Sequence, residues 1–215
     1  MREMITNIDM RDFLTDFEQG SQTIILEEGK EKDEIIEIAK ARGYNLKNNS
    51  DLAGFKTVFM FADEANKNGA RAPKKKLLQS LPTMIGKPVD IDHNRSMVVG
   101  HYIDYRYRTK DNAVIAYGVF YKSNFGREWE EAKQLFKANK LGTSFEIWCP
   151  KNCRKHLEDG TYELTQMEIA GGGLMYKEKP AFENANVLEL AKVHLSEAED
   201  LVFASNKEYK TEEED

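Results

Sequence analysis

Nine residues, "AVIAYGVFY" at 113–121, restrict what this chain can fold into more than any other stretch. They are apolar on both alternating faces, so as a strand they must be covered from both sides. The run before them, "SMVVGHYIDYRYR", instead alternates, with Val99, His101, Ile103, Tyr105 and Tyr107 sharing one face. "TKDN" at 109–112 supplies a turn between the two runs. A hairpin with one two-sided strand places that strand centrally in a closed or covered sheet.

The flanking segments supply both helices and further strands. "KEKDEIIEIAKAR" at 30–42 repeats apolar residues at helical spacing, with Ile35, Ile38 and Ala39 on one side and Gly43 as a stop. "FKTVFMFA" at 55–62 reads as a strand, "KKKLLQSLPTMIG" as a short helix ending near Pro82, and "KPVDID" as a short extended run. Residues 126–140 form the clearest helix. Glu128, Glu130 and Glu131 open it and Lys137 and Lys140 close it, matching the helix dipole, with Trp129, Ala132, Leu135 and Phe136 as its apolar stripe. "TSFEIWC" at 143–149 alternates as a strand, with Phe145, Ile147 and Cys149 on one face and Ser144, Glu146 and Trp148 on the other. "PKNCRKHLEDGT" reads as a polar loop, "YELTQMEIAGGGLMY" as a strand running into a glycine triplet, and "ENANVLELAKVHLSEAEDLVF" as mostly helical. The sum is an α+β domain. Residues 1–50 form an N-terminal extension with an amphipathic helix, 51–195 the main domain, and 196–215 a charged tail expected to be flexible.

Composition bounds the function classes. The chain has 215 residues, a net charge of −6 and a pI near 5.4. That acidity argues against a dedicated nucleic-acid binder, and "RAPKKK" at 71–76 reads as a solvated lysine cluster. No apolar run approaches the ~20 residues that span a bilayer. "MREMITNIDMRDF" has no apolar core of a signal peptide, so no membrane association and a cytoplasmic location are expected. Two cysteines are too few for a disulfide framework.

Three constellations could carry chemistry. Cys149, Cys153 and His156 are spaced C-x3-C-x2-H, a candidate zinc module that lacks a fourth ligand nearby. "DHN" at 92–94 suggests a metal-dependent nuclease, but residues 113–122 form an apolar strand where that chemistry needs a ligand-bearing helix. The third is nucleophilic hydrolysis. Ser144 starts a strand just after a helix and Gly142, where backbone N–H groups can remain unpaired beside its hydroxyl, and Phe145 anchors it. His93 is the candidate base. His101 sits on an apolar strand face as a satisfied core histidine would, His156 in a polar loop, and His194 in the terminal helical stretch. Glu168 is the first choice to orient His93; Glu146, which shares a face with Ser144, is an alternative, and Asp90 and Asp92 are close to His93 in sequence for that geometry. From these residues alone, Ser144 also reads as an ordinary strand-start serine.

The segments "NKNGARAPKKKLLQSLPTMIGKPVDIDHN", "VVGHYIDYRY" and "EAKQLFKANKLGTSFEIW" together resemble the tailed-phage prohead (capsid maturation) serine proteases, in the branch also found in defective prophages. The resemblance spans roughly residues 55–187 and rests on the order of its pieces: a "GKPV" strand with its histidine, a "VVGH" strand, a helix and a Gly-x-Ser strand. It implies the fold of herpesvirus assemblin, a mainly antiparallel β-barrel surrounded by helices. It implies His93 as general base, Ser144 as nucleophile and Glu168 as third member, with an oxyanion loop after the third member that makes Gly171, Gly172 and Gly173 candidate backbone donors; Phe145 is a further candidate. The expected substrates are scaffolding protein, major capsid protein and the chain itself, cut inside the procapsid in the host cytoplasm. No cofactor or metal is expected; herpesvirus relatives are activated by dimerisation, so the resemblance leaves a homodimer open, and no residue in the sequence fixes the oligomeric state. A non-catalytic procapsid or scaffold component with the same fold is the alternative reading, and a zinc module at Cys149, Cys153 and His156 the second.

Overall fold

The computed structural model describes residues 30–150, 152–176, 182, 185 and 187–191. The charged tail, His194 and the helix expected past residue 191 lie outside them. The first element, α1 (Lys30–Ala41), buries Ile35, Ile38 and Ala39, the three apolar positions its spacing singled out. Gly43 ends it at φ +87°, a left-handed position that a side chain disfavours. Glu34 fastens the helix to the strands beneath. Its carboxylate pairs with Lys56 at 2.7 Å and accepts the Tyr117 hydroxyl at 3.0 Å.

The strands and remaining helices follow in chain order: β1 (Leu52–Phe61), β2 (Ala70–Arg71), α2 (Lys74–Ser80) with a 3-10 turn (Leu81–Met84), β3 (Pro88–Ile91), β4 (Asn94–Arg108), β5 (Ala113–Tyr121), α3 (Gly126–Lys137), β6 (Gly142–Trp148), β7 (Arg154–His156), β8 (Tyr162–Leu164), β9 (Glu168–Met175) and β10 (Val187–Ala191). Seven of the strands form one sheet in the order β10-β1-β5-β4-β3-β9-β6. All its pairs are antiparallel except β3 with β9. The two-sided apolar run is β5, placed between β1 and β4 and buried over Ala113–Phe120. Phe120 packs on Trp129 of α3 with ring centroids 5.2 Å apart, so the helix covers the strand it follows.

The sheet curls until its last strand, β6, meets β1 across the interior. Thr143 of β6 accepts a hydrogen bond from the Thr57 hydroxyl at 2.8 Å and donates to the Val58 carbonyl at 2.7 Å, all three residues being buried. The architecture is therefore α+β, a curled, mainly antiparallel sheet with helices packed around it.

Three local expectations are corrected. Residues 187–191 are a strand on the edge of β1, not part of a helix; the free β1 edge offers the segment a ladder that overrides the helix propensity of its Leu, Glu and Ala residues. The polar loop after Pro150 contains β7, which with β8 and β2 makes a small three-stranded sheet. Cys149 and Cys153 are bonded to each other as a disulfide, with Cα atoms 5.8 Å apart. That disposes of the zinc module: its two sulfurs are spent on one another, and His156 stands exposed against the Tyr162 ring.

Candidate active site

"DIDHN" is a β-hairpin corner. Ile91 pairs with Asn94, leaving Asp92 and His93 as a two-residue turn, both left-handed at φ 50° and 57°. Such a turn matches the twist of its strands but demands positive φ at both positions, which Asp and His tolerate better than most side chains. The corner is tied down from below. Asp92 donates its N–H to the Leu174 carbonyl at 3.1 Å and accepts the Tyr176 N–H on its carboxylate at 2.8 Å.

The glycine triplet makes the floor. β9 runs between β3 and β6, with Gly173 level with Asp90 on one side and Ser144 on the other. Gly171 lies opposite Glu146. Side chains level with one another share a face, so Asp90, Ser144 and Glu146 stand on the same side of the sheet. Thr143 and Phe145 point the other way, into the core. Glycine is required because the space above the floor is occupied. A Cβ on Gly173 would lie 3.1 Å from Asp90 Oδ1 and 3.2 Å from the His93 nitrogen, and one on Gly171 2.8 Å from Glu146 Oε2.

His93 folds over this floor and turns Nδ1 toward Glu146 Oε1, 3.1 Å away. Both side chains are largely shielded, 7% and 3% exposed. An imidazole whose Nδ1 faces a carboxylate holds its proton there and leaves Nε2 free to accept one. Arg95, just past the corner, reaches back to ion-pair with Glu146 Oε2. Its Nε stands 3.9 Å from Asp90 Oδ2. Asp90 is 1% exposed, and neither of its carboxylate oxygens has a hydrogen-bond partner. Burial, reinforced by repulsion from Glu146, pushes its carboxyl up to about 7 against the pull of His93 and Arg95. Burial also raises the Tyr102 phenol, which lies under Gly172 on the core face, and the same two carboxylates add to the effect.

Ser144 is 6% exposed and adjoins this group, on the same face as Glu146 and across Gly173 from Asp90. Its hydroxyl makes no hydrogen bond to His93 here. Phe145 follows on the outer edge of the sheet. Thr143 gives its N–H to the Ala185 carbonyl, away from β9, so by two-residue alternation the Phe145 N–H also faces away from β9.

Sequence reasoning chose Glu168 to orient the imidazole, and the structure puts Glu146 there instead. Glu168 begins β9 opposite Trp148, roughly 17 Å along the strand from Gly173 at ~3.3 Å per residue. Its carboxylate pairs with Lys87 at 3.0 Å. Gly172 and Gly173 were expected in an oxyanion loop. They lie inside a strand with a neighbour on each side, so their amides belong to the sheet and not to a loop. Arg95 and the burial of Asp90 went unforeseen. Alternation in "PVDI" marks Asp90 as opposite to Val89, but not that His93 and Arg95 would close over it.

His101 is the bridged core histidine expected of its strand face. Nε2 lies 2.7 Å from the Tyr44 hydroxyl and Nδ1 2.7 Å from the Tyr121 hydroxyl.

No protein-family model matches this chain, and no curated protein matches it. Solved structures are similar to it, two viral proteases among them. The capsid assembly protease of bacteriophage T4, gp21, superposes with a TM-score of 0.48 at 12% identity, over 57% of this chain and 81% of that one. The varicella-zoster virus protease does so with a TM-score of 0.31 at 14% identity, over 55% of this chain and 57% of that one. Both are viral proteases.

Proposed function

We propose that this chain is a serine endopeptidase of the prohead-maturation type, with Ser144 as nucleophile, His93 as general base and Glu146 as the group that orients and charges the base. The observation that carries the reading is the 3.1 Å approach of His93 Nδ1 to Glu146, beside Ser144 over a floor of glycine. The sequence resemblance supports the same two central residues.

In the first step Ser144 Oγ bonds to the scissile carbonyl carbon while its proton passes to His93 Nε2. Glu146 stabilises the imidazolium through Nδ1–H, and the Phe145 N–H on the sheet edge is the donor for the oxyanion. The peptide C–N bond then breaks and the proton moves from His93 to the leaving amine. Water, deprotonated by the same imidazole, hydrolyses the acyl-enzyme and restores Ser144. The substrates in this reading are scaffolding protein, capsid protein and the chain's own ends, cut inside the procapsid.

A non-catalytic procapsid component of the same fold is the second reading, favoured by the missing hydrogen bond between Ser144 and His93. Such bonds are often long in unliganded enzymes and tighten only with substrate. A serine-reactive phosphonate separates the two. Stoichiometric labelling at Ser144, lost in Ser144→Ala with the fold intact, is the result expected of the enzyme. A folded wild-type chain that takes no label and leaves scaffolding protein uncut would overturn it.

A further inference from the structure

We propose that Asp90, His93 and Glu146 form a binding site for a divalent transition cation of the zinc class. One donor atom from each lies within 4.8 Å of the others. Bonds of ~2.0–2.2 Å to oxygen and nitrogen draw such a set into three corners of a tetrahedron with small side-chain movements. The corners come from different parts of the chain: Asp90 from β3, His93 from the hairpin tip and Glu146 from β6. Gly171 and Gly173 keep the space between them clear of side-chain carbon.

Asp90 is the observation that points to a ligand. Its carboxylate is buried at 1% exposure, has no hydrogen-bond partner on either oxygen, and is aimed into the cluster. A buried carboxyl left without a hydrogen bond is costly even with the Arg95 guanidinium 3.9 Å away, and no residue of the proposed hydrolytic step uses it. A cation shared with Glu146 supplies the close partner that Asp90 lacks. One imidazole with two carboxylates suits zinc or a neighbouring first-row ion. Magnesium and calcium take oxygen ligands, and the softer ions prefer thiolate.

Arg95 is the built-in competitor. Its guanidinium faces the same two carboxylates and is 41% exposed, so it can leave toward solvent when an ion enters. The site is thus held by one of two positive partners. This inference goes beyond the peptidase reading. One consequence rests on it: a metal on His93 Nδ1 leaves the ring proton on Nε2, the atom that must accept the proton of Ser144, so the bound ion and the nucleophile's activation exclude each other.

The test is calorimetric titration of Zn2+ into chelator-stripped full-length protein at neutral pH, with the visible spectrum of Co2+ as a check of tetrahedral coordination. One ion per chain is expected. Asp90→Asn should weaken binding by about tenfold or more, the order expected when a metal site loses a supporting group. Arg95→Ala should tighten it, which a merely structural arginine would not do. Ser144→Ala and a double Cys149→Ser, Cys153→Ser variant should leave it unchanged. Thermal melts of each variant confirm the fold. No stoichiometric binding, or binding indifferent to Asp90→Asn and Arg95→Ala, overturns the site. Phosphonate labelling at Ser144 should fall when Zn2+ is added and return with chelator. Labelling that persists in the zinc-loaded protein overturns the exclusion, while a chain that binds zinc but never labels refutes the peptidase reading and leaves the site standing.

Discussion

His93 and Glu146, separated by most of the sheet in sequence, meet at 3.1 Å because a hairpin corner and an edge strand face each other across β9. The carboxylate beside the imidazole is therefore the one two residues beyond Ser144, whereas Glu168 pairs with Lys87; in the proposed mechanism that carboxylate orients the base. Glu146→Gln keeps the size and removes the charge that stabilises imidazolium. It should lower kcat by about 10²–10⁴-fold, the range for losing an acid–base or orienting group, with little change in KM. Glu168→Gln breaks a part-buried pair with Lys87 away from the site and should leave kcat within about twofold and stability within ~1 kcal/mol. Steady-state kinetics on a cleavable scaffold peptide compares them directly. Equal losses in both variants would sink the assignment.

The floor under the site should resist any side chain. Gly171→Ala puts a Cβ 2.8 Å from Glu146 Oε2 and 2.8 Å from the Pro88 carbonyl. The carboxylate can move aside but the β3 backbone cannot, so the variant should lose about 1–3 kcal/mol by overpacking and lose labelling at Ser144. Gly126→Ala is the control. It opens α3 with nothing within 4 Å of the added carbon, and should be neutral or stabilising by up to ~1 kcal/mol. Urea unfolding and phosphonate labelling on the same samples read both effects.

The architecture was legible in the sequence where a segment's own pattern decided it. The two-sided burial of β5, the stripe on α1 and the alternation of β6 are properties of single runs, and each emerges where its pattern puts it. The positions of His93 just past a short strand and of Ser144 at the start of another were legible for the same reason, through local strand and helix signals. The choice between Glu168 and Glu146 was not, because it depends on the register of β6 against β9 and on Gly171 leaving room for a long side chain. No residue type near Asp90 signals that it will be enclosed. Its burial follows from His93 adopting a left-handed turn and Arg95 folding back, both tertiary outcomes. The glycine triplet misled because glycine-rich runs usually mark loops, whereas here crowding on both faces of a strand demands it.

His101 makes stability depend on pH. Burial lowers its pKa from 6.5, and the titratable side chains hydrogen-bonded to its ring are the Tyr44 and Tyr121 phenols. The unfolded chain therefore takes up a proton near pH 6.5 while the folded chain still resists, so stability falls as pH drops through about 6.5 and the loss levels off below the folded pKa. His101→Gln retains hydrogen-bonding capacity without the titration. The wild type should lose more unfolding free energy than this variant between pH 7.5 and about 5.5. Equal slopes in parallel denaturant titrations would show that other groups set the dependence.

The Cys149–Cys153 bridge closes a very short loop at the end of β6, with Leu164, Ile147, Tyr162 and Met167 packed around the two sulfurs. A short loop restricts the unfolded chain only modestly, so the bridge should contribute about 2 kcal/mol, less than a long-range disulfide. It lies beyond Glu146 on β6 and joins the small sheet through Thr165, whose N–H bonds the Cys153 carbonyl at 2.7 Å. Replacing both cysteines by serine should lower the urea midpoint accordingly and loosen β7 and β8 first, visible as faster amide exchange there. Labelling of Ser144 should persist, because Glu146 precedes the bridge on β6, and His93 on its hairpin corner and the glycine floor on β9 lie outside the cluster around the sulfurs. Loss of labelling in a variant whose main sheet keeps its exchange protection would mean that the small sheet also shapes the site.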